Sequence, residues 1–195
     1  MGTSCDELIG DAIADRQFRA ALELLARSYG PPIGRLCMAM LGDQAEAEEL
    51  TQEILLDAHA AMPAFEGRAS VRTWFYSIAR RSCSRQLRKR TRRAELMVKF
   101  LPPTADEASL RAVTLSAERH QLRRALDALS IEQHEILLLR YVGDLSFREV
   151  ADVCDIKEAA ARQRACGAIR KLREIMLDVK EASPAPFASC QEATQ

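Results

Sequence analysis

The sequence predicts an all-α protein made of two small helical domains joined by a flexible linker. Three observations carry this. β-Branched residues are few and never alternate usefully with polar ones, apolar residues recur at helical spacing throughout, and cap residues and Pro/Gly breaks punctuate the chain at helix-length intervals. With 195 residues and 48% apolar content the chain can bury real cores.

Phe18, Ala21, Leu22 and Leu25 form the first stripe, and Ile33, Leu36, Cys37, Met40 and Leu41 the second; Gly30-Pro31-Pro32 between them predicts two helices meeting at a break. Asp43 with Glu46 resembles a capping box for a third helix, whose apolar side runs through Ala47, Leu50, Ile54 and Ala58 until Pro63. A loop follows, Phe65 to Ser70 (FEGRAS). A fourth helix then opens near Ser70, turning Val71, Trp74, Phe75 and Ile78 inward. Trp74 reads as a core residue, whereas Phe65 and Tyr76 are the better candidates for stacking on bases. Periodicity fades after Glu95, and Pro102-Pro103 forbid a continuous helix, so residues 95–116 read as the linker.

The second domain, 117–178, begins with Leu122, Ala125, Leu126 and Leu129 and restarts at the Ser130/Gln133 capping box. Gly143-Asp144 ends that helix. Ser146 with Glu149 caps a short helix, Cys154-Asp155-Ile156 makes a turn, and a longer helix carries Ala161, Ala165, Ile169, Leu172 and Met176 inward. That is the layout of a helix-turn-helix. Residues 179–195 lack any stripe and read as a disordered tail.

Charge is segregated although the formal net charge is zero. Leu36 to Gly67 holds seven acids and no base, and Gly67 to Ala94 holds ten bases and no acid. A solvated helix face normally mixes signs to gain i,i+4 pairs, so the basic run suits a polyanion whose phosphates it neutralises. The acidic helix would repel DNA and suits a protein. A second basic cluster, Arg162, Arg164, Arg170, Lys171 and Arg173, lies on the helix that would enter the major groove. No nucleophile elbow, phosphate-cradling loop or HExxH occurs, so no catalytic residue, cofactor or metal is expected. The six cysteines (5, 37, 83, 154, 166, 190) lack ligand or disulfide spacing and read as free thiols, and His59, His120 and His134 are scattered. Neither a secretion signal nor an apolar run of membrane-spanning length is seen, which points to a cytoplasmic protein with no direct membrane insertion.

On these residues the chain resembles bacterial sigma factors of the extracytoplasmic-function (ECF) type. The stretch LGDQAEAEELTQEILLDAHAAMPAFEGRASVRTWFYSIARRSCSRQLRKRTRR is similar to the family's acidic helix, loop, T-W-aromatic-x-I-A-R helix and Arg-rich end. LDALSIEQHEILLLRYVGDLSFREVADVCDIKEAAARQRACGAIRKLRE is similar to the family's upstream-element reader. The resemblance implies that Glu48, Glu49, Leu50, Gln52 and Glu53 lie on the helix that docks on core RNA polymerase. It implies that Phe65, Gly67, Arg68 and Ser70 frame a base flipped from the minus-ten element, with Arg72, Tyr76, Arg80, Arg81, Arg85 and Arg88 around it. Arg162, Gln163 and Arg164 match the part that reads the minus-thirty-five element, with Arg170, Lys171 and Arg173 nearer phosphates. Core RNA polymerase, promoter DNA and an anti-sigma factor are the implied partners.

The chain departs from the family pattern at Ala159-Ala160-Ala161, where Gly-Thr-Val is usual, and at Gly167, where a base is usual. Arg81 and Arg85 stand in place of a frequent Asn and Asp, and Ser130-Ile131 in place of a Leu-Pro-Pro start. The alanines and Gly167 bear on upstream readout, and Arg81 and Arg85 on base preference at the minus-ten element, whereas Ser130-Ile131 should matter little because Ser130 supplies the cap. From the residues alone two other classes stay open. One is an operator-binding repressor or activator that uses the helix-turn-helix without polymerase, and the other a nucleic-acid-processing enzyme.

Overall fold

The computed structural model describes residues 4–100, 125, 126 and 128–181, with side chains described up to 93 and, in the last helix, up to 176. Most of the expected linker and tail lies outside the described residues, but 95–100 and 179–181 are helical. Every regular element among the described residues is a helix.

The first helix, α1 (Cys5–Ala14), precedes the first stripe recognised in the sequence. Its signal is Ser4 followed by Glu7: the Ser4 N–H donates to Glu7 Oε2 at 2.9 Å, and Ile9 and Ile13 enter the core. Helix α2 (Phe18–Leu41) then runs unbroken through Gly30-Pro31-Pro32, so the predicted break does not form. A proline inside a helix costs about 3 kcal/mol, and tertiary contacts must offset it. They do so on both sides of the prolines: Ala21 and Leu25 before them and Ile33, Leu36, Cys37 and Leu41 after them all lie in one core. Helix α1 also ties down the turn just ahead of the prolines. The Tyr29 hydroxyl donates to Asp6, and Ser28 Oγ lies 2.7 Å from Cys5 Sγ. Burial, and then the Asp6 carboxylate, push the Tyr29 phenol well above its ordinary pKa, so it remains a donor.

Helix α3 (Gln44–Ala61) is capped as expected by Asp43, whose carboxylate accepts from the Glu46 N–H at 3.0 Å. A short 3-10 turn at Met62–Ala64 and the FEGRAS loop lead to α4 (Val71–Phe100), where Ser70 Oγ accepts from the Thr73 N–H at 3.0 Å. Helices α1 to α4 enclose Leu25, Ile33, Ile54 and Phe75, each at 0% exposure. Cys37 and Cys83 meet inside this core, Sγ to Sγ 3.8 Å.

The C-terminal group is α5 (Ile131–Tyr141), α6 (Phe147–Cys154) and α7 (Glu158–Glu181). Both predicted capping boxes form, Ser130 with Gln133 and Ser146 with Glu149. Asp155, at φ 54°, makes the left-handed turn between α6 and α7. Ala161, Ala165 and Ala168 face inward, and their small side chains let α7 pack closely on α5 and α6. Met176, expected inside, is 38% exposed. The two helical groups touch: α4 packs on α6, and α2 on α5.

Candidate nucleic-acid and polymerase interfaces

The acidic helix α3 is amphipathic in an unusual sense, apolar inside and acid-only outside. Glu48, Glu49, Gln52 and Glu53 are exposed, while Leu50, at 3% exposure, belongs to the core and positions the helix instead of offering a contact. Beside these acids lie two apolar side chains that sequence reading passed over, Leu56 at 66% and Met38 at 42% exposure. Met38 borders an open groove between α2 and α3 with Gly34, Ala47 and Thr51. Their positions off the core stripe were the available signal. Arg35 lines the α2 side of this groove and Glu48 the α3 side, so it is the α3 side, acidic with an apolar neighbour, that suits a basic, partly apolar protein partner.

The FEGRAS loop holds Gly67 at φ 70°, a backbone that side-chain-bearing residues adopt only under strain. Phe65 and Trp74 pack together with ring centroids 4.9 Å apart, both half-buried. Trp74 is thus partly buried, packed against the edge of the core beside the loop, and Tyr76, read as a stacking candidate, is instead buried at 1% exposure. Arg68 pairs with Glu66 at 2.5 Å on the surface, and Ser70 serves as the helix cap.

Along α4 the predicted cations separate into two sets. Arg81, Arg85 and Arg88 are exposed, with Arg81 Nε donating to the Ser77 carbonyl at 3.1 Å and Arg85 lying 3.6 Å from Asp57. Arg72 and Arg80 turn the other way. The Arg72 guanidinium donates to the carbonyls of Gly143 at 2.9 Å and Asp144 at 2.8 Å, and Arg80 Nε donates to Glu135 Oε2 at 2.9 Å. Burial raises the Tyr76 phenol above its ordinary pKa against the opposing pull of Arg72, so its hydroxyl is protonated when it meets the Gly143 carbonyl at 3.2 Å. Burial likewise opposes ionisation of Glu149, but hydrogen bonds from Ser146 and the nearby Arg72 outweigh it and hold the carboxyl below its ordinary value.

Helix α7 presents Arg162, Gln163, Arg164, Arg170, Lys171 and Arg173 to solvent. At about 100° per residue Arg162 and Arg173 share one edge, Gln163 and Arg170 the centre, and Arg164 and Lys171 the far edge. These six side chains span a little over half of the helix circumference, with the exposed Glu174 on the same side. Arg162 is held over the Phe147 ring, 5.0 Å from its centroid, and Lys171 Nζ donates to the Ala128 carbonyl at 2.6 Å.

This division into two helical units matches known families. Residues 25–93 match the model of sigma-70 region 2, and residues 119–172 that of sigma-70, region 4. The ECF RNA polymerase sigma factor SigC of Mycobacterium tuberculosis (strain CDC 1551 / Oshkosh) is 30% identical over 152 residues, covering 74% of this chain and 77% of SigC. The chain belongs to the ECF sigma factors. SigX of Bacillus subtilis (strain 168), another ECF sigma factor, is 27% identical over 165 residues, 82% of this chain and 85% of SigX. In fold it resembles the sigma factor RpoE of Bartonella quintana, solved with the anti-sigma factor NepR, at a TM-score of 0.61 and 21% identity over 80% of this chain and 96% of that one.

A sigma factor directs promoter-specific transcription initiation through RNA polymerase and is not itself an enzyme. Among the described residues no group of three or more His, Cys, Asp or Glu could hold a metal ion, and no helix is long and apolar enough to cross a membrane. Within the sigma factor's helix-turn-helix, Cys154 is buried in α6 and burial pushes its thiol up to about 11, while Cys166 on α7 is exposed among the basic residues. Iodoacetamide at pH 8 is expected to label Cys5 and Cys166 well before Cys37, Cys83 and Cys154, as read by peptide mass spectrometry. Equal labelling of Cys154 and Cys166 would contradict the packing of α6 on α7.

Proposed function

We propose that this sigma factor docks on core RNA polymerase through the acidic face of α3, engages the minus-ten element with the FEGRAS loop and α4, and engages the minus-thirty-five element with α7. The observation that carries this is the placement of the charges: one exposed acid-only helix face with apolar neighbours, and two separate exposed basic helices, in a single chain. DNA alone would leave the acidic face without a use, which disfavours a plain operator-binding repressor or activator. Phe65, Gly67, Arg68 and Ser70 would frame an extruded base, whose unstacking costs a few kcal/mol that pocket contacts and phosphate neutralisation offset. An anti-sigma protein is a further proposed partner, by analogy with the complex solved for the Bartonella quintana relative. The proposed site of action is the cytoplasm, where polymerase resides.

Glycerol-gradient sedimentation with purified core polymerase tests the reading. Co-migration, together with new transcripts from fragmented genomic DNA, is the expected result; a chain that sediments alone and directs no transcript overturns it. For α7, Arg164→Ala should weaken promoter binding by about 1–3 kcal/mol and relax one position of the site if the guanidinium reads a base. It should weaken all sequences evenly if it touches phosphate. Unchanged affinity for every sequence would remove Arg164 from both roles.

A further inference from the structure

Cys37 on α2 and Cys83 on α4 bring their sulfurs to 3.8 Å where these helices pack in the N-terminal core, and both side chains are fully buried. The thiols are in contact; a disulfide would need the sulfurs to approach to about 2.0 Å, a movement shared between two side chains. The pair is chemically asymmetric. Hydrogen bonding with the Cys83 thiol draws Cys37 below the ordinary thiol range against the opposing effect of burial, and the same bond, together with burial, raises Cys83. Cys37 is thus the sulfur that ionises first. Although buried, the pair lies just beneath a groove. Thr51 of α3, whose hydroxyl is within hydrogen-bonding reach of Cys37, also lines the open groove between α2 and α3. Gly34, on the α2 side of that groove, has no side chain to cover it: a Cβ there would lie 3.9 Å from Thr51 Oγ1. A molecule scarcely larger than water needs only a local opening at Thr51 to reach Cys37, whereas iodoacetamide needs more room.

We propose that Cys37 and Cys83 are a peroxide-reactive dithiol, oxidised through the α2–α3 groove to a disulfide that ties α2 to α4. The Cys37 thiolate attacks one oxygen of hydrogen peroxide, and the O–O bond breaks. The hydroxide that leaves takes up the proton Cys37 gave and becomes water, while Cys37 becomes a sulfenic acid. The Cys83 sulfur then attacks the Cys37 sulfur. The S–O bond breaks, and the departing hydroxide takes the Cys83 proton to form a second water. Two electrons pass from the two sulfurs to the peroxide, and dithiothreitol returns them. With Cys83 already in contact, the sulfenic acid is consumed before a second peroxide can reach it. The bond closes a loop between positions 46 residues apart, so the oxidised domain resists unfolding more than the reduced one. It also lies directly behind the groove, because Cys37 is followed in α2 by Met38, one of the groove's lining residues.

The test uses the full-length chain without substitution. It is exposed to hydrogen peroxide at neutral pH, quenched with catalase, unfolded in urea with N-ethylmaleimide and read by peptide mass spectrometry over time. Cys154, buried in α6, is the internal control. A Cys37–Cys83 disulfide should form at least about tenfold faster than Cys154 is oxidised, revert with dithiothreitol, and raise the urea midpoint of the N-terminal helices. The dithiol is overturned if both cysteines stay reduced while Cys5 and Cys166 are oxidised, or if they link to other cysteines as often as to each other, as an unfolded chain would. Cys83→Ala should leave a Cys37 sulfenic acid that dimedone traps; no trapped Cys37 in a variant that still melts cooperatively would overturn the assignment of Cys37 as the attacking sulfur. The route is tested separately and rests on the reading of α3 as the docking helix. Saturating core polymerase should slow disulfide formation about tenfold by covering the groove. An unchanged rate in a chain that co-sediments with polymerase overturns the groove as the route and leaves the docking reading standing, whereas a chain that fails to co-sediment counts against that reading and leaves the dithiol to the first measurement.

Discussion

Replacing Phe75 with alanine is expected to remove most of the stability of the N-terminal domain. The side chain is at 0% exposure, in the same core as Ile9, Leu25, Ile33 and Ile54, and meets the Tyr29 ring edge-on at 6.2 Å between centroids. Deleting a buried phenyl ring costs about 3–5 kcal/mol through lost transfer free energy and the cavity left behind. A domain of this size has about 5–15 kcal/mol in all. The loss should be larger in effect here, because Tyr29 lies in the turn of α2 just before Pro31 and Pro32, where the helix depends on tertiary contacts. Urea unfolding followed by circular dichroism should show the midpoint fall sharply. A shift of less than about 1 kcal/mol would mean that Phe75 is not in a close-packed core.

The second large effect is expected from Glu49→Lys combined with Glu53→Lys. Both carboxylates are exposed on α3, one turn apart, so the change should leave thermal stability nearly untouched. Its consequence falls on docking. A single exposed ion pair is worth little, but charge reversal at a complementary patch places like charges against each other and costs several kcal/mol. Affinity for core polymerase should drop about a hundredfold or more, read as loss of co-sedimentation with an unchanged melting curve. Retained co-sedimentation would move the docking surface off α3. Leu56→Ala, by contrast, tests the apolar part of the same face and should reduce docking without altering its salt dependence.

Much of the fold was legible because the signals are local. Asp43, Ser70, Ser130 and Ser146 cap the helices they were expected to cap, since a cap depends on a side chain and an N–H only a few residues away. The third and fourth helices, the helix-turn-helix and the exposed α3 acids follow from spacing alone. Helix α1 had a local signal too, Ser4 with Glu7, but only a short apolar stripe, Ile9 and Ile13, to go with it. The Gly30-Pro31-Pro32 segment is a different case. Its local signal is correct as local physics, and it is overridden by burial on both sides and by the bonds from α1.

The roles along α4 divide in the same way. That this helix is strongly cationic, that α3 is acidic outside and that α7 carries a second basic surface are properties of the order of residues, present in any conformation that keeps those helices. Which cations face solvent is not such a property. Arg72 and Arg80 read as equivalent to Arg81, Arg85 and Arg88 in the chain, and only the approach of Glu135 and Gly143, more than fifty residues distant, separates the two sets. Tyr76 is buried because a second surface arrives on the flank of α4 that the first core leaves open, its hydroxyl meeting the Gly143 carbonyl. Periodicity can tell how a helix divides into faces, but the occupant of each face is decided by contacts made across the molecule.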